Sequence, residues 1–140
     1  MHKELISYTD YNGESRSETF YFNLNKAEIT EMELSVNGGL SESLKSIVEK
    51  RDVPNTIAVI KDIILRSYGI KSPDGKRFMK SKEISEEFSQ TEAYSELFMK
   101  LLSDSEYTAK FMNSIIPADL AKAAEEYAEK NPNVIQIGNT

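Results

Sequence analysis

Three groups of residues in this chain have types and spacings that could carry chemistry: clustered carboxylates, a glycine-flanked basic loop and a lone histidine. The carboxylates fall at Glu86-Glu87, at Glu92 with Glu96, and at Glu125-Glu126 with Glu129. Paired carboxylates cleave glycosidic bonds when both face one cleft and an apolar pocket keeps one protonated. Here they lie between the apolar positions of helical stripes, on what should be outer helix faces, where water solvates them. None of these stretches has the spacing of an EF-hand calcium loop. The loop Gly69-Ile70-Lys71-Ser72-Pro73-Asp74-Gly75-Lys76-Arg77 has the glycines and the lysine of a phosphate-binding loop with the wrong spacing. Five residues separate its glycines where a Walker loop has four, and Arg77 stands where Ser or Thr is needed; helical periodicity, not a strand, precedes it. His2 sits at the N-terminus, where fraying is expected, and the chain has no cysteine. Mechanisms that need an internal imidazole, a thiolate nucleophile or a thiolate zinc site are thereby excluded. No cofactor or metal is expected.

The basic loop belongs to a wider charge pattern. Residues 1–50 carry 5 Lys and Arg against 9 Asp and Glu, residues 51–82 carry 8 against 3, and residues 83–140 carry 4 against 11. The middle is a basic island in a chain of net charge −6. Arg66, Lys71, Lys76, Arg77, Lys80 and Lys82 could form a patch that docks an acidic partner, or a plain solvated turn. The overall negative charge opposes nucleic-acid binding, which draws most of its affinity from phosphate neutralisation. Tyr94, Phe98 and Phe111 recur at helical spacing and read as core, not as a base-stacking platform. The longest apolar cluster, Ile57 to Leu65, is interrupted by Lys61 and Asp62 and cannot span a bilayer. Residues 1–10 lack the apolar stretch of a secretory signal, so a cytoplasmic location is expected.

The elements that must position these residues follow from periodicity. About 55 apolar side chains, from 39% of 140 residues, suffice for one core. Leu5 to Thr9 and Thr19 to Phe22 are β-branched or aromatic runs around Asn12-Gly13, the pattern of a β-hairpin whose turn is either a two-residue loop or one with a glycine bulge. Consecutive rings at Phe20, Tyr21 and Phe22 place aromatics on both strand faces, with Tyr21 opposite to the other two. Asn25 with Glu28 predicts the capped start of a helix over 26–35, ended by Asn37-Gly38-Gly39. Leu40, Leu44, Ile47 and Val48 form the stripe of a second helix. Pro54 to Tyr68 has so wide an apolar face that a central buried helix is expected, and Ser72-Pro73-Asp74-Gly75 marks a loop after it. Stripes at Ile84/Phe88, at Tyr94 to Leu102 and at Tyr107 to Ile116 predict three more helices; an Ala-rich helix over 119–130 follows. The expected fold is mainly α: an N-terminal β-hairpin packed on a bundle of five to seven short helices. Ile57, Ile60, Ile64, Leu97, Phe98, Leu101 and Phe111 form its core. A single domain over 1–130 divides into the hairpin at 1–24 and helices at 25–130, with a flexible tail at 131–140.

Three stretches resemble the tail assembly chaperones of long-tailed bacteriophages: Tyr8 to Gly13; Thr19 to Glu28 with Glu31-Met32-Glu33; and Tyr68-Gly69 with Lys71 to Phe78. Phe88 to Tyr94 and Ile116-Pro117-Ala118-Asp119 are similar to that family too. The resemblance covers most of residues 8–120, and the last twenty residues are the least characteristic. It implies a non-enzymatic protein of the host cytoplasm, absent from the finished virion, that keeps the tape measure protein soluble and helps recruit tail tube protein around it. In many relatives a ribosomal frameshift yields a second, longer product. Neither nucleic acid nor membrane is an expected partner, and self-association stays open. The family supplies no set of binding residues to carry across. Tyr21 and the six basic residues are therefore candidates on physical grounds alone, Tyr21 as exposed aromatic surface for a client. The alternative reading is a small phage or bacterial regulator that binds nucleic acid or a host protein.

Overall fold

A computed structural model describes residues 1–35 and 53–117. Its elements are β1 (His2–Thr9), β2 (Ser15–Phe22), α1 (Lys26–Ser35), α2 (Val53–Ser67), β3 (Tyr68–Lys71), β4 (Phe78–Met79), α3 (Lys82–Ser89), α4 (Glu92–Ser103) and α5 (Ser105–Ile115). The expected second helix around Leu40 to Val48, the Ala-rich helix and the 131–140 tail lie outside the described residues.

The hairpin turn carries the glycine bulge. Gly13 donates to the Asp10 carbonyl at 2.9 Å, Asp10 N donates to the Glu14 carbonyl at 2.8 Å, and Gly13 has φ +79°, which a side chain would strain. The Asp10 carboxylate tightens the turn. It accepts the Asn12 and Glu14 backbone N–H groups at 2.8 and 3.0 Å and the Arg16 guanidinium at 2.5 Å. The Arg16 contact first, then the Glu14 N–H, hold its pKa below the ordinary carboxylate value. The turn fixes the register, pairing Leu5 with Thr19 and His2 with Phe22. Even-numbered residues of both strands therefore turn to the core and odd-numbered ones away from it.

The sheet does not stop at the hairpin. β3 pairs with β2 and β4 with β3, giving a four-stranded antiparallel sheet in the order β1-β2-β3-β4. This corrects the mainly α expectation: the fold is mixed, with five helices and a four-stranded sheet among the described residues. The segment read as a loop is a second hairpin. Its turn is as expected: Ser72 Oγ lies 2.6 Å from Asp74 Oδ1 and accepts Arg77 N at 3.0 Å, and Gly75 adopts φ +75°. The strands on either side are too short to show a period. Tyr68, read as the end of the long helix, starts β3 opposite Phe22; Asn23 N donates to the Ser67 carbonyl at 2.7 Å at the junction. Gly69 is required there, because a Cβ would stand 2.6 Å from Phe78 Cε2 and 2.9 Å from the Met79 carbonyl oxygen.

Side-chain caps start the helices. Asn25 and Glu28 exchange reciprocal bonds at the start of α1, Asn25 N to Glu28 Oε1 at 3.0 Å and Glu28 N to Asn25 Oδ1 at 2.8 Å. Ser81, Thr91 and Asp104 cap α3, α4 and α5 by accepting the N–H three residues on. The core forms where these helices meet the even-numbered sheet face. Phe22 is fully buried at its centre, with ring centroids of Phe111 at 5.3 Å, Tyr68 at 5.7 Å and Phe88 at 5.8 Å. Ile60, Ile64, Leu97, Leu101 and Phe111 are buried and Phe98 is partly so. Ile57 is exposed, contrary to expectation: it sits on the stripe of Ile60 and Ile64 but one turn nearer the start of α2, beyond the reach of the described core.

Candidate functional site

The outward face of the sheet is built by the odd-numbered residues that the register turns away from the helices. Tyr21 lies there between Lys3 of β1 and Gly69 of β3, while Phe20 and Phe22 enter the aromatic core on the other side. The Lys71 ammonium sits 5.3 Å from the centre of the Tyr21 ring, within cation–π range. Leu5 is 66% exposed on the same face, and the Phe78 ring covers the place where Gly69 has no side chain. Aromatic and aliphatic surface is thus framed by two lysines on a rigid, hydrogen-bonded support.

The structure divides the basic island in two. Lys71, Lys76 and Arg77 belong to the β3–β4 hairpin, all exposed, and form no ion pair among the described residues. Arg66, Lys80 and Lys82 line a groove of about 620 Å³ together with the apolar Leu24, Met32 and Leu65 and the acidic Glu28, Glu31 and Asp62. All three cations have carboxylate partners within the chain. Arg66 Nε contacts both Asp62 carboxylate oxygens at 2.9 and 2.8 Å. Lys80 Nζ donates to the Asn23 carbonyl and to Glu28 Oε2, each at 2.6 Å, and clamps the start of α3 to the start of α1. Burial lowers the Lys80 pKa, and the Glu28 carboxylate partly opposes that shift. Lys82 is exposed, 3.9 Å from Glu86 one helical turn on.

Sequence reasoning missed a polar cluster under β1. His2 is no frayed residue: it opens the strand, its ring lies 5.0 Å from Phe111 edge-on, and its Nε2 is 2.7 Å from Glu4 Oε1. Glu4 also lies 4.0 Å from the Lys100 ammonium, which stands 4.0 Å above the Tyr107 ring. Tyr107 Oη is buried beside Glu4; burial first, then its interaction with the Glu4 carboxylate, push its pKa far up. The signal lay in the alternation His2-Glu4-Ile6-Tyr8, which puts all four on the inner face. Among the described residues, no three His, Asp or Glu side chains are placed to hold a metal ion, and no helix is long and apolar enough to cross a membrane.

With this geometry in hand, the comparison with known families is decisive. The family model for phage tail assembly chaperones matches residues 1–139. The chain belongs to that family. No curated protein and no solved structure matches it. The match extends past the 8–120 stretch of the resemblance into the least characteristic final segment. In this chaperone-family chain, the residues that carry the resemblance have structural work that can now be named. Asn12-Gly13 forms the bulged turn, Asn25 and Glu28 the capping box, Ser72 to Gly75 the second turn, and Thr91 the cap of α4.

Proposed function

We propose that this chaperone binds the tape measure protein of its phage in the host cytoplasm, keeps it soluble until tail tube protein is recruited around it, and is left out of the finished virion. The family match over residues 1–139 carries the general role. The finer reading draws support from the outward sheet face. A long helical client exposes apolar stripes flanked by charges, and a face with Tyr21 and Leu5 beside Lys3 and Lys71 offers apolar cover and cations to meet acidic flanks, with Lys76 and Arg77 exposed in the neighbouring β3–β4 turn. The role is non-enzymatic: it needs surface and charge, not a bond-making step. The groove cations Arg66, Lys80 and Lys82 contribute less, because each is paired with a carboxylate within the chain. That neutralisation also weakens the nucleic-acid reading, which would need cations free to replace the counterions of phosphates.

The experiment is co-expression with the tape measure protein. Wild-type chain should raise the soluble fraction of that protein, and Tyr21→Ser should lower it while the chaperone stays folded. A gel-shift titration over a range of salt concentrations, with binding that weakens steeply as salt rises, would favour the regulator instead.

A further inference from the structure

The sheet has one long edge that no strand covers among the described residues, the outer side of β1. Which groups it presents follows from the hydrogen-bond alternation of an antiparallel ladder. Asp10 N bonds the Glu14 carbonyl at the turn, so the even residues of β1 exchange bonds with β2. Asn23 N bonds the Ser67 carbonyl, so the odd positions on the β2 side point toward β3, in agreement. The N–H and C=O groups of Lys3, Leu5, Ser7 and Thr9 therefore point out along the free edge. This edge is eight residues long, unbroken by proline or a bulge, and carries two charges on opposite faces, Lys3 outward and Glu4 inward. Glu4, the inward-facing acid, is matched within its own chain by His2 and Lys100.

We propose that β1 pairs antiparallel with β1 of a second copy of this chain, centred on Leu5, joining two four-stranded sheets into one. The sequence of the edge is complementary to itself in that register. Leu5 meets Leu5 of the second copy, Lys3 meets Ser7, Met1 meets Thr9, and no two like charges oppose each other. Leu5 at 66% and Met1 at 52% are among the large apolar side chains left exposed, and each gains a cross-strand neighbour from the second copy in this pairing. Met99, 55% exposed on α4, adds to the apolar surface of the helix that packs against β1. The two-fold axis stands perpendicular to the sheet, so both outward faces, with their Tyr21 rings, lie on the same side of the dimer. The proposal does not rest on the tape measure reading, and a monomeric chaperone could still hold a client.

The absence of cysteine makes the test clean. In a hydrogen-bonded antiparallel pair the two Leu5 Cα atoms stand about 5.5 Å apart, inside the roughly 4.4–6.8 Å span of a disulfide. Leu5→Cys should cross-link on mild oxidation. Thr9→Cys should not, since two copies of position 9 would be eight residues apart along the strands, about 27 Å. Sedimentation equilibrium should show a wild-type dimer. Ser7→Pro removes one edge N–H from each copy without removing a backbone bond of the β1–β2 ladder and should weaken dimerisation more than about tenfold, roughly the loss of two hydrogen bonds across the two-fold axis. Leu5→Lys, an exposed change that sets two ammonium groups opposite each other at the axis, should do the same if the proline variant misfolds. A monomer at every concentration overturns the proposal. So does cross-linking through position 9 as readily as through position 5, or a dimer that persists in Leu5→Lys.

Discussion

Phe22 and Tyr21 are adjacent in sequence and opposite in environment, so replacing each by alanine tests the register on which the account of the sheet depends. Phe22 is fully buried, with three aromatic rings of other elements within 5.8 Å of its own. Truncating a phenylalanine in such a site costs about 3–5 kcal/mol in lost transfer energy and residual cavity, a large part of the ~5–15 kcal/mol that holds a domain together. With a urea m-value of about 2 kcal/mol/M, the midpoint should fall by about 1.5–2.5 M. Tyr21 stands on the outward face, and its alanine variant loses the Lys71 contact and one cross-strand pair, together below about 1 kcal/mol. Its midpoint should move by less than about 0.5 M. Urea titrations followed by circular dichroism give both numbers, and unchanged slopes keep the comparison valid. Equal shifts, or a larger one at Tyr21, would refute the reasoning, because a one-residue slip exchanges the two faces.

Gly69→Ala should destabilise by about 1–3 kcal/mol, because its Cβ would meet the Phe78 ring and the backbone oxygen of Met79; Phe78→Leu should rescue only part of the loss in thermal melts, since Met79 O stays. Stability should fall as pH rises above 10. Burial raises the pKa of Tyr107, and of Tyr68 and Tyr94, above the unfolded value of 10.0, so their contribution is complete below that pH and is lost above it as the unfolded tyrosines ionise. Lys80, whose pKa is lowered, acts in the opposite sense, so the difference between wild type and Tyr107→Phe across alkaline urea titrations isolates the tyrosine. At neutral pH Tyr107→Phe should change stability by no more than about 1.5 kcal/mol, because at most the weak contact of the buried hydroxyl with Glu4 is lost. Lys76→Glu with Arg77→Glu should slow association with an acidic client and flatten its salt dependence in stopped-flow measurements, leaving the melting temperature within about 2 °C.

The parts of the fold legible in the sequence are those set by contacts close along the chain. Asn25 with Glu28, Asn12-Gly13 and the stripe of α4 each involve residues a few positions apart, and each forms as read. The second hairpin was not legible. β3 has four residues and β4 two, too few for alternation to show, and Tyr68 falls on the helical stripe of Ile60 and Ile64, so the apolar period of α2 continues into it. What makes Tyr68-Gly69 a strand is the waiting edge at Tyr21 and Phe22, far away in sequence. The basic island shows the same limit for the candidate site. Linear charge density put Lys80 with its neighbours, yet its partner is Glu28, 52 residues away. His2 stands where fraying is expected, but strand alternation outweighs terminal position; the inner-face pattern His2, Glu4, Ile6, Tyr8 seats it against Phe22 and Phe111.

The central claim is that the outward sheet face holds the tape measure protein, and one measurement addresses it most directly. The tape measure protein is expressed alone, with the wild-type chaperone, and with Tyr21→Ser, whose fold is checked first by its urea midpoint. Its soluble fraction is then compared across the three. The account predicts that it is insoluble alone, soluble and co-purifying with wild type, and largely lost from the soluble fraction with Tyr21→Ser. Equal insolubility with and without the wild-type chain would contradict the function, and full solubility with a folded Tyr21→Ser variant would contradict the surface assigned to it.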